Sequence, residues 1–300
     1  MDIEPDAGGQ ESRLAALERT LQRLAEDTER RETAISEKLD TLIRVVPPAV
    51  VDDGDYVATI VDGHIIAVPH EERDVAIYHA LRGTLEPGLV AAFRRVLQPG
   101  MTVVDVGANL GVYTLHALSG IALHGRVFAF EPVPRTYEAL RRNLKLNGFA
   151  DSTVIATHEQ AVSDRTGVGR MFYEVGNAGH STLYPKPNVA VEELTVETVR
   201  LDDAIADHHV DVIKIDVEGA EQAVIAGMPE IIAANPQLVT FMEFAPSHLA
   251  RAGVVPVEFA VALRERFTTL AVDDATGVPR AMDLADLVRR ASTNLMLTAR

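Results

Sequence analysis

The sequence predicts an α/β fold in which apolar strands alternate with helices, and three stretches carry that prediction. The first runs from Thr102 to Glu131: a strand over Thr102 to Val106, a turn from Gly107 to Gly111, a helix through about Ser119, and a strand over Arg126 to Phe130 that ends on the acid Glu131. The second is Val210 to Gly219, whose apolar alternation is broken by Lys214 and Asp216. The third, Leu238 to Glu243, is again an apolar strand ending on an acid. Central strands that deliver polar groups to the crevice beyond their carboxyl ends belong to parallel sheets covered by helices.

The turn at Gly107 to Gly111 is the feature around which the rest is arranged. Its glycines let the backbone bend sharply beneath a ligand, and the helix that follows aims N–H groups and a positive dipole end at an anion. Glu131, roughly 20 residues on, suits a ribose diol. The turn is not a dinucleotide fingerprint, because Asn109 stands where that pattern needs glycine. Asp105, just ahead of Gly107, repels a pyrophosphate and attracts an ammonium or sulfonium group. S-adenosylmethionine fits the combination, with its carboxylate at the helix start, its ammonium near Asp105 and its ribose on Glu131.

Composition sets the outer limits. Of 300 residues none is cysteine, which excludes disulfides, thiolate metal sites and cysteine nucleophiles and makes a reducing cytoplasm the expected location. The net charge of −16 argues against nucleic acid or anionic lipid as general partners. No apolar run approaches the roughly 20 residues of a membrane span, and Met1 to Glu4 is not expected to open a signal segment. A catalytic portion of about 250 residues buries roughly three quarters of its extended-chain surface without staples.

Taken in order, Met1 to Gln10 is acidic and expected to be disordered. From Glu11 to about Arg44, Leu14, Leu17, Leu21 and Leu24 recur at three-four spacing and the phase returns at Ile35 and Leu42. This is a long helix that either self-associates as a coiled coil, giving a homo-oligomer, or lies on its own domain. Pro47 and Pro48 end it. Residues 1–48 therefore form a leader, 49–80 a hairpin and connecting helix, and 81–300 the catalytic domain. Asp62-Gly63, between Tyr56 to Val61 and His64 to Val68, signals a type I′ hairpin. Helices are expected over Glu71 to Arg82 and Pro87 to Leu97, roofing the crevice. Glu86, on the break between them, either faces that crevice or, the preferred reading, is an exposed helix-start acid.

Arg135 to Leu146 is an amphipathic helix and Asp151 to Thr157 a third strand. Glu159 to Asp164 is a short loop where an adenine ring would lie against Ala161 and Val162, with Ser163 or Asp164 toward its amine; an ordinary polar turn is the competing reading. Thr166 to Leu194 reads as irregular and carries His180, a candidate general base or a surface histidine. Val196 to Leu201 is extended and Asp202 to Ala206 a short helix. Asp216, Glu218 and Glu221 cluster where a helix begins after Gly219, and Asp216 caps that helix, serves function, or both, while Lys214 pairs with one of the acids. Helices over Ser247 to Ala252, Pro256 to Phe267 and Leu284 to Arg290, with strands near Thr268 to Val272 and Thr293 to Leu297, bring the strand count to about seven.

Val104-Asp105-Val106-Gly107-Ala108-Asn109-Leu110-Gly111, Phe130-Glu131-Pro132, Ala161-Val162-Ser163-Asp164, the block from Lys214 to Glu221 and the closing Asn294-Leu295-Met296-Leu297 together resemble the FkbM family of S-adenosylmethionine-dependent methyltransferases. The likeness covers roughly Leu81 to Leu297. It implies a doubly wound, mostly parallel, seven-stranded Rossmann-like sheet with the last strand inserted antiparallel. It also implies cofactor contacts from Asp105, Gly107, Ala108, Asn109, Gly111, Glu131, Pro132 and Ser163 or Asp164, and O-methylation of a sugar, glycoside or secondary metabolite.

Methyl transfer from a sulfonium is an in-line displacement that needs alignment in a dry pocket and a base for the acceptor hydroxyl. Asp216 or His180 is the expected base, with Glu243 and Glu218 positioning a small-molecule or saccharide acceptor. Asp216 with a second carboxylate is an alternative Mg²⁺ holder, and no metal ligand is assigned. Three alternatives stand beside this reading: an N-methyltransferase on the same scaffold, a nucleotide-dependent oxidoreductase or sugar-modifying enzyme, and a non-catalytic methyltransferase-like assembly protein.

Overall fold

The computed structural model describes residues 55–70, 83–84, 86–174 and 191–300. The heptad leader, the helix expected over Glu71 to Arg82 and His180 lie outside the described residues. Strands β1 (Tyr56–Val61) and β2 (His64–Pro69) form the hairpin around Asp62 and Gly63. Then come α1 (Pro87–Val96), β3 (Thr102–Val106), α2 (Val112–Gly120), β4 (Arg126–Phe130), α3 (Pro134–Leu146) and β5 (Ile155–His158). Next are β6 (Ala161–Val162), β7 (Gly167–Glu174), β8 (Val191–Val199), α4 (Leu201–Ala204), β9 (Val212–Ile215), α5 (Glu221–Ala226) and α6 (Pro229–Ala234). The chain closes through β10 (Val239–Phe244), α7 (Pro246–Arg251), α8 (Pro256–Arg266), β11 (Phe267–Val272), β12 (Pro279–Arg280), α9 (Leu284–Leu287) and β13 (Thr293–Ala299).

The large sheet has the order β12-β11-β13-β10-β9-β3-β4-β5. Strands β3, β4, β5, β9 and β10 pair in parallel, while β13 runs antiparallel to both β10 and β11. The expected seven strands with an inserted antiparallel one are therefore present, and the two-residue β12 adds an eighth. From β3 the chain steps outward through β4 to β5, then returns to lay β9 on the other side of β3. That reversal opens a crevice beyond the carboxyl ends of β3 and β9, the place where such sheets bind ligands.

Alternation along the strands sorts the core into two layers. Val103, Val127, Val212 and Phe241 face Phe93, Leu115, Leu118 and Leu140 of α1 to α3. On the opposite face Val104, Ile213, Met242 and Phe244 meet Val224, Ile231, Leu249 and Phe259 of α5 to α8. Each such side chain contributes about 1.5–3 kcal/mol on burial. The same patterning leaves no helix among the described residues long and apolar enough to cross a membrane.

Two expectations change. Thr166 to Leu194 is not irregular throughout, because β7 and β8 pair as an antiparallel ribbon from Gly167↔Thr198 to Glu174↔Val191, and β6 joins β8 in parallel. This small sheet buries Met171 and Val196 against Val133 and Ala161, while its other face meets water. The hairpin of β1 and β2, read as a separate ribbon, is part of the catalytic body: Val61, Ile66 and Val68 are wholly buried in the core layer of α1 to α3. Asn143 of α3 acts as a substitute strand for it, accepting from Ala67 N–H at 2.7 Å and donating to Ala67 O at 3.1 Å.

Candidate active site

Three left-handed residues shape the turn between β3 and α2: Gly107 at φ +77°, Asn109 at +50° and Gly111 at +88°. Asparagine is among the side chains that tolerate this region, which explains its place between two glycines. The N–H groups of Gly107 and Ala108 both donate to Phe130 O, at 3.0 and 2.9 Å, tying the turn to the end of β4. Gly107 is required by space as well, since a Cβ there would stand 1.9 Å from the carbonyl oxygen of Asp216.

Glu131 reaches back under this turn. One carboxylate oxygen accepts the Asn109 N–H at 2.9 Å, the other the Val133 N–H at 2.9 Å, and the residue is only 6 % exposed. Burial pushes its carboxyl up to about 7 against the opposing pull of those two N–H groups. Two oxygens, each with a lone pair left over, suit a vicinal diol. Pro132 is buried beside it. Ala161 packs in one cluster with Val133, which brings the expected adenine segment to the same end of β4. Ser163 is buried with its hydroxyl 3.2 Å from Asp164, whose side chain is half-exposed.

Asp105 lies wholly buried, with Lys214 opposite it in the β3–β9 register. Thr114 donates to one of its oxygens at 2.6 Å, and the other has no hydrogen-bond partner. Burial raises its carboxyl, with Lys214 acting the other way. Lys214 is buried too, donating to Asp216 at 3.0 Å with its ammonium 4.4 Å from the Tyr113 ring centroid. Burial alone would lower this ammonium, but Asp216, Asp105 and Glu86 hold it up at about 12. At Asp216, the residue considered for Mg²⁺, the Lys214 ammonium thus engages one carboxylate oxygen.

Glu86 is not the exposed acid preferred from sequence. It accepts the Tyr113 hydroxyl at 2.9 Å and the Asn294 amide at 3.0 Å, joining α1, α2 and β13 at the crevice. Burial and Glu86 together push the Tyr113 phenol well up.

A second cluster stands over the ends of β9 and β10. Glu218 takes φ +55° and Gly219 φ +113°, and the turn they make presses against α7, where a Cβ at Gly219 would meet His248 O at 2.7 Å. His248 Nδ1 lies 3.0 Å from Glu218 Oε2 and 3.8 Å from Glu243 Oε2, and Arg251 approaches Glu218 at 3.9 Å. Glu243 rises to about 8 through burial and the negative charge of Asp216, Glu218, Glu221 and Glu86. Glu221, buried with one oxygen on the Gly219 N–H at 3.1 Å, rises to about 7 through burial.

The strand ends therefore bring together Asp105, Gly107, Asn109, Glu131 and Asp216, with Glu218 and Glu243 clustered at the ends of β9 and β10. Sequence reasoning missed Tyr113, Asn294, His248 and Arg251. Topology was the missing signal: Asn294 is the register partner of Glu243 across β10 and β13, and His248 occupies the first turn of the helix following that acid.

Comparison with known proteins points the same way. A family model described as the methyltransferase FkbM domain matches residues 105–267. The 31-O-demethyl-FK506 methyltransferase FkbM of Streptomyces tacrolimicus is 33% identical over 169 residues, 45% of this chain and 62% of that protein. Methyltransferase sdnD of Sordaria araneosa is 29% identical over 159 residues, 43% and 60% of the two chains. The 2-O-methyltransferase NoeI of Sinorhizobium fredii is 30% identical over 154 residues, 45% and 60%. The matches thus span less than two thirds of each of these relatives.

Proposed function

The chain belongs to the FkbM methyltransferase family, and from that membership we propose that it is an S-adenosylmethionine-dependent O-methyltransferase acting on a hydroxyl of a sugar, glycoside or secondary metabolite. The observation that carries the reading is Glu131: an acid held 2.9 Å from the N–H groups of Asn109 and Val133, buried under a glycine turn at the sheet's reversal point. The orphaned oxygens of Asp105 and Asn109 beneath and within that turn are polar atoms awaiting a partner, and they support the fit of a cationic nucleoside. Two relatives bearing O-methyltransferase names, one a 31-O and the other a 2-O enzyme, support a hydroxyl acceptor.

In this reading the Gly107 to Gly111 turn and Pro132 cradle the cofactor, Glu131 holds its ribose, and Ser163 or Asp164 meets its adenine. When bound, S-adenosylmethionine supplies an electrophilic methyl group on a sulfonium. The carboxylates of Asp105, Asp216 and Glu86, set against the one ammonium of Lys214 that they hold up, keep the crevice negative and favour a cation there. Asp216 orients rather than deprotonates, since its carboxylate is committed to Lys214. Glu218 and Glu243 position acceptor hydroxyls, and Glu243, with its carboxyl at about 8, has a proton to donate to an acceptor oxygen near neutrality.

S-adenosylhomocysteine is expected to raise the melting temperature where NADH does not, and Glu131→Ala to shrink the rise to less than half. Absence of any rise with the homocysteine product in the wild-type chain would remove the proposal.

A further inference from the structure

We propose that His248 is the general base of the reaction, with Glu218 as the carboxylate that orients it. This rests on the methyltransferase reading and adds a residue to it. α7 follows β10 directly, and its first turn brings the imidazole to Glu218, just after β9, and to Glu243 in β10. Nδ1 is sealed from solvent, 3.0 Å from Glu218 Oε2 but out of line for a hydrogen bond with it, whereas the side chain as a whole keeps 22% of its surface. The accessible part of the ring is consequently the edge away from Nδ1, where Nε2 stands. A small turn of the ring would bring an Nδ1 proton onto that carboxylate, as catalytic hydrogen bonds tighten when substrate binds, and would leave a lone pair on Nε2, the tautomer a general base needs.

Among the described residues, Glu218 from the β9–α5 turn and Glu243 from β10 lie against this ring, and Arg251 from α7 itself approaches Glu218. Asp216 and Glu221 lie close enough to Glu243 for their charge to raise its carboxyl. Their balance suits the reaction. The acceptor oxygen forms a bond to the methyl carbon, the carbon–sulfur bond breaks with its electron pair remaining on sulfur, and the hydroxyl proton passes to Nε2. One positive charge disappears from sulfur and one appears on the imidazole, so the transfer leaves the net charge of the crevice unchanged. A carboxylate behind the ring stabilises the imidazolium, as an acid does behind the histidine of a hydrolase triad. Asp216 lacks this arrangement, because its partner is an ammonium rather than a ring that shuttles protons.

The experiment is long-range ¹H–¹⁵N correlation of the full chain labelled in its histidine rings, with and without S-adenosylhomocysteine, the His248 signals assigned by loss in His248→Gln. The neutral ring is expected as the Nδ1–H tautomer, and Glu218→Gln is expected to shift the proton toward Nε2. An Nε2–H tautomer in the wild type, or a ring doubly protonated across roughly pH 6 to 9, overturns the proposal. In parallel, methyl transfer from tritiated S-adenosylmethionine to a low-molecular-weight cell extract should fall about 10²–10⁴-fold in His248→Gln. Transfer within about tenfold of wild type also overturns it. The melting shift with S-adenosylhomocysteine is expected to survive in His248→Gln. Its retention alongside a wrong tautomer defeats the base assignment alone, and its absence in the wild type defeats the methyltransferase reading itself.

Discussion

A methyl group added at Gly107 would meet Asp216 O at 1.9 Å, in a backbone conformation of φ +77° that side chains avoid. At Gly63 the conformation is equally left-handed, φ +87°, yet nothing lies within 4 Å of the added carbon. The pair separates strain from collision. Gly63→Ala should cost about 1–2 kcal/mol and leave the response to S-adenosylhomocysteine intact. Gly107→Ala should cost more, since Asp216 sits on a strand end that cannot retreat, and should abolish that response; thermal melts with and without the compound measure both. At this scale the sequence was readable where chemistry forces the residue. Gly107, Glu131 and Asp105 announced themselves by type and spacing, and all three lie at the crevice. His248 and Asn294 did not, because their roles depend on which strands and helices become neighbours, and that is a property of the sheet order rather than of local pattern. Glu86 was misjudged for the same reason: an acid before a helix is ordinarily exposed, and only the approach of α2 and β13 covers it.

Among the elements, the hairpin of β1 and β2 depends on side chains where a strand would normally serve. Asn143 is wholly buried and makes three bonds, accepting from Ala67 N–H at 2.7 Å and donating to Ala67 O at 3.1 Å and Leu110 O at 2.8 Å. The last of these reaches the Gly107 to Gly111 turn, so one amide fastens both the hairpin and the turn to α3. Asn147, one helical turn on, repeats the pattern at Ile65, at 3.0 and 2.7 Å, but near solvent. Asn143→Ala strands a buried donor and two acceptors, and about 2–4 kcal/mol of stability should go with it. Asn147→Ala should cost about 1 kcal/mol or less, because water replaces the lost partner. Urea unfolding of the two variants checks the difference, and weaker binding of S-adenosylhomocysteine by Asn143→Ala would report the link to the turn. The hairpin itself was legible from Asp62 and Gly63, whereas its docking was not: asparagines at i and i+4 on a helix read as polar surface. The β7–β8 ribbon escaped for a related reason. Only one face of it is buried, Met171 and Val196 being its inward residues, and glycines and glutamates between them blur the alternation by which a strand is recognised.

Across the whole molecule, the net charge of −16 is not spread only over solvated surface. Three acids of the crevice, Glu131, Glu221 and Glu243, have carboxyls raised to about 7, 7 and 8, each chiefly by burial. Their ordinary value is 4.5, so between that point and about 8 the folded chain holds protons that the unfolded chain has released. Stability rises with pH only where the unfolded state binds more protons; here the native state binds more, and the sign reverses. The contribution of these acids is fully present below about pH 4.5 and is lost as pH rises through 7 to 8. In the ligand-free chain the melting temperature should accordingly fall between pH 6 and pH 8.5. Glu243→Gln, which keeps the shape and removes the ionisation, should flatten the decline. S-adenosylmethionine should flatten it as well, and more than S-adenosylhomocysteine, because the sulfonium compensates carboxylates as they ionise whereas the neutral thioether does not. Melts across that range with each compound measure the difference, and equal slopes for the two would mean that the crevice acids do not sense the charge on sulfur.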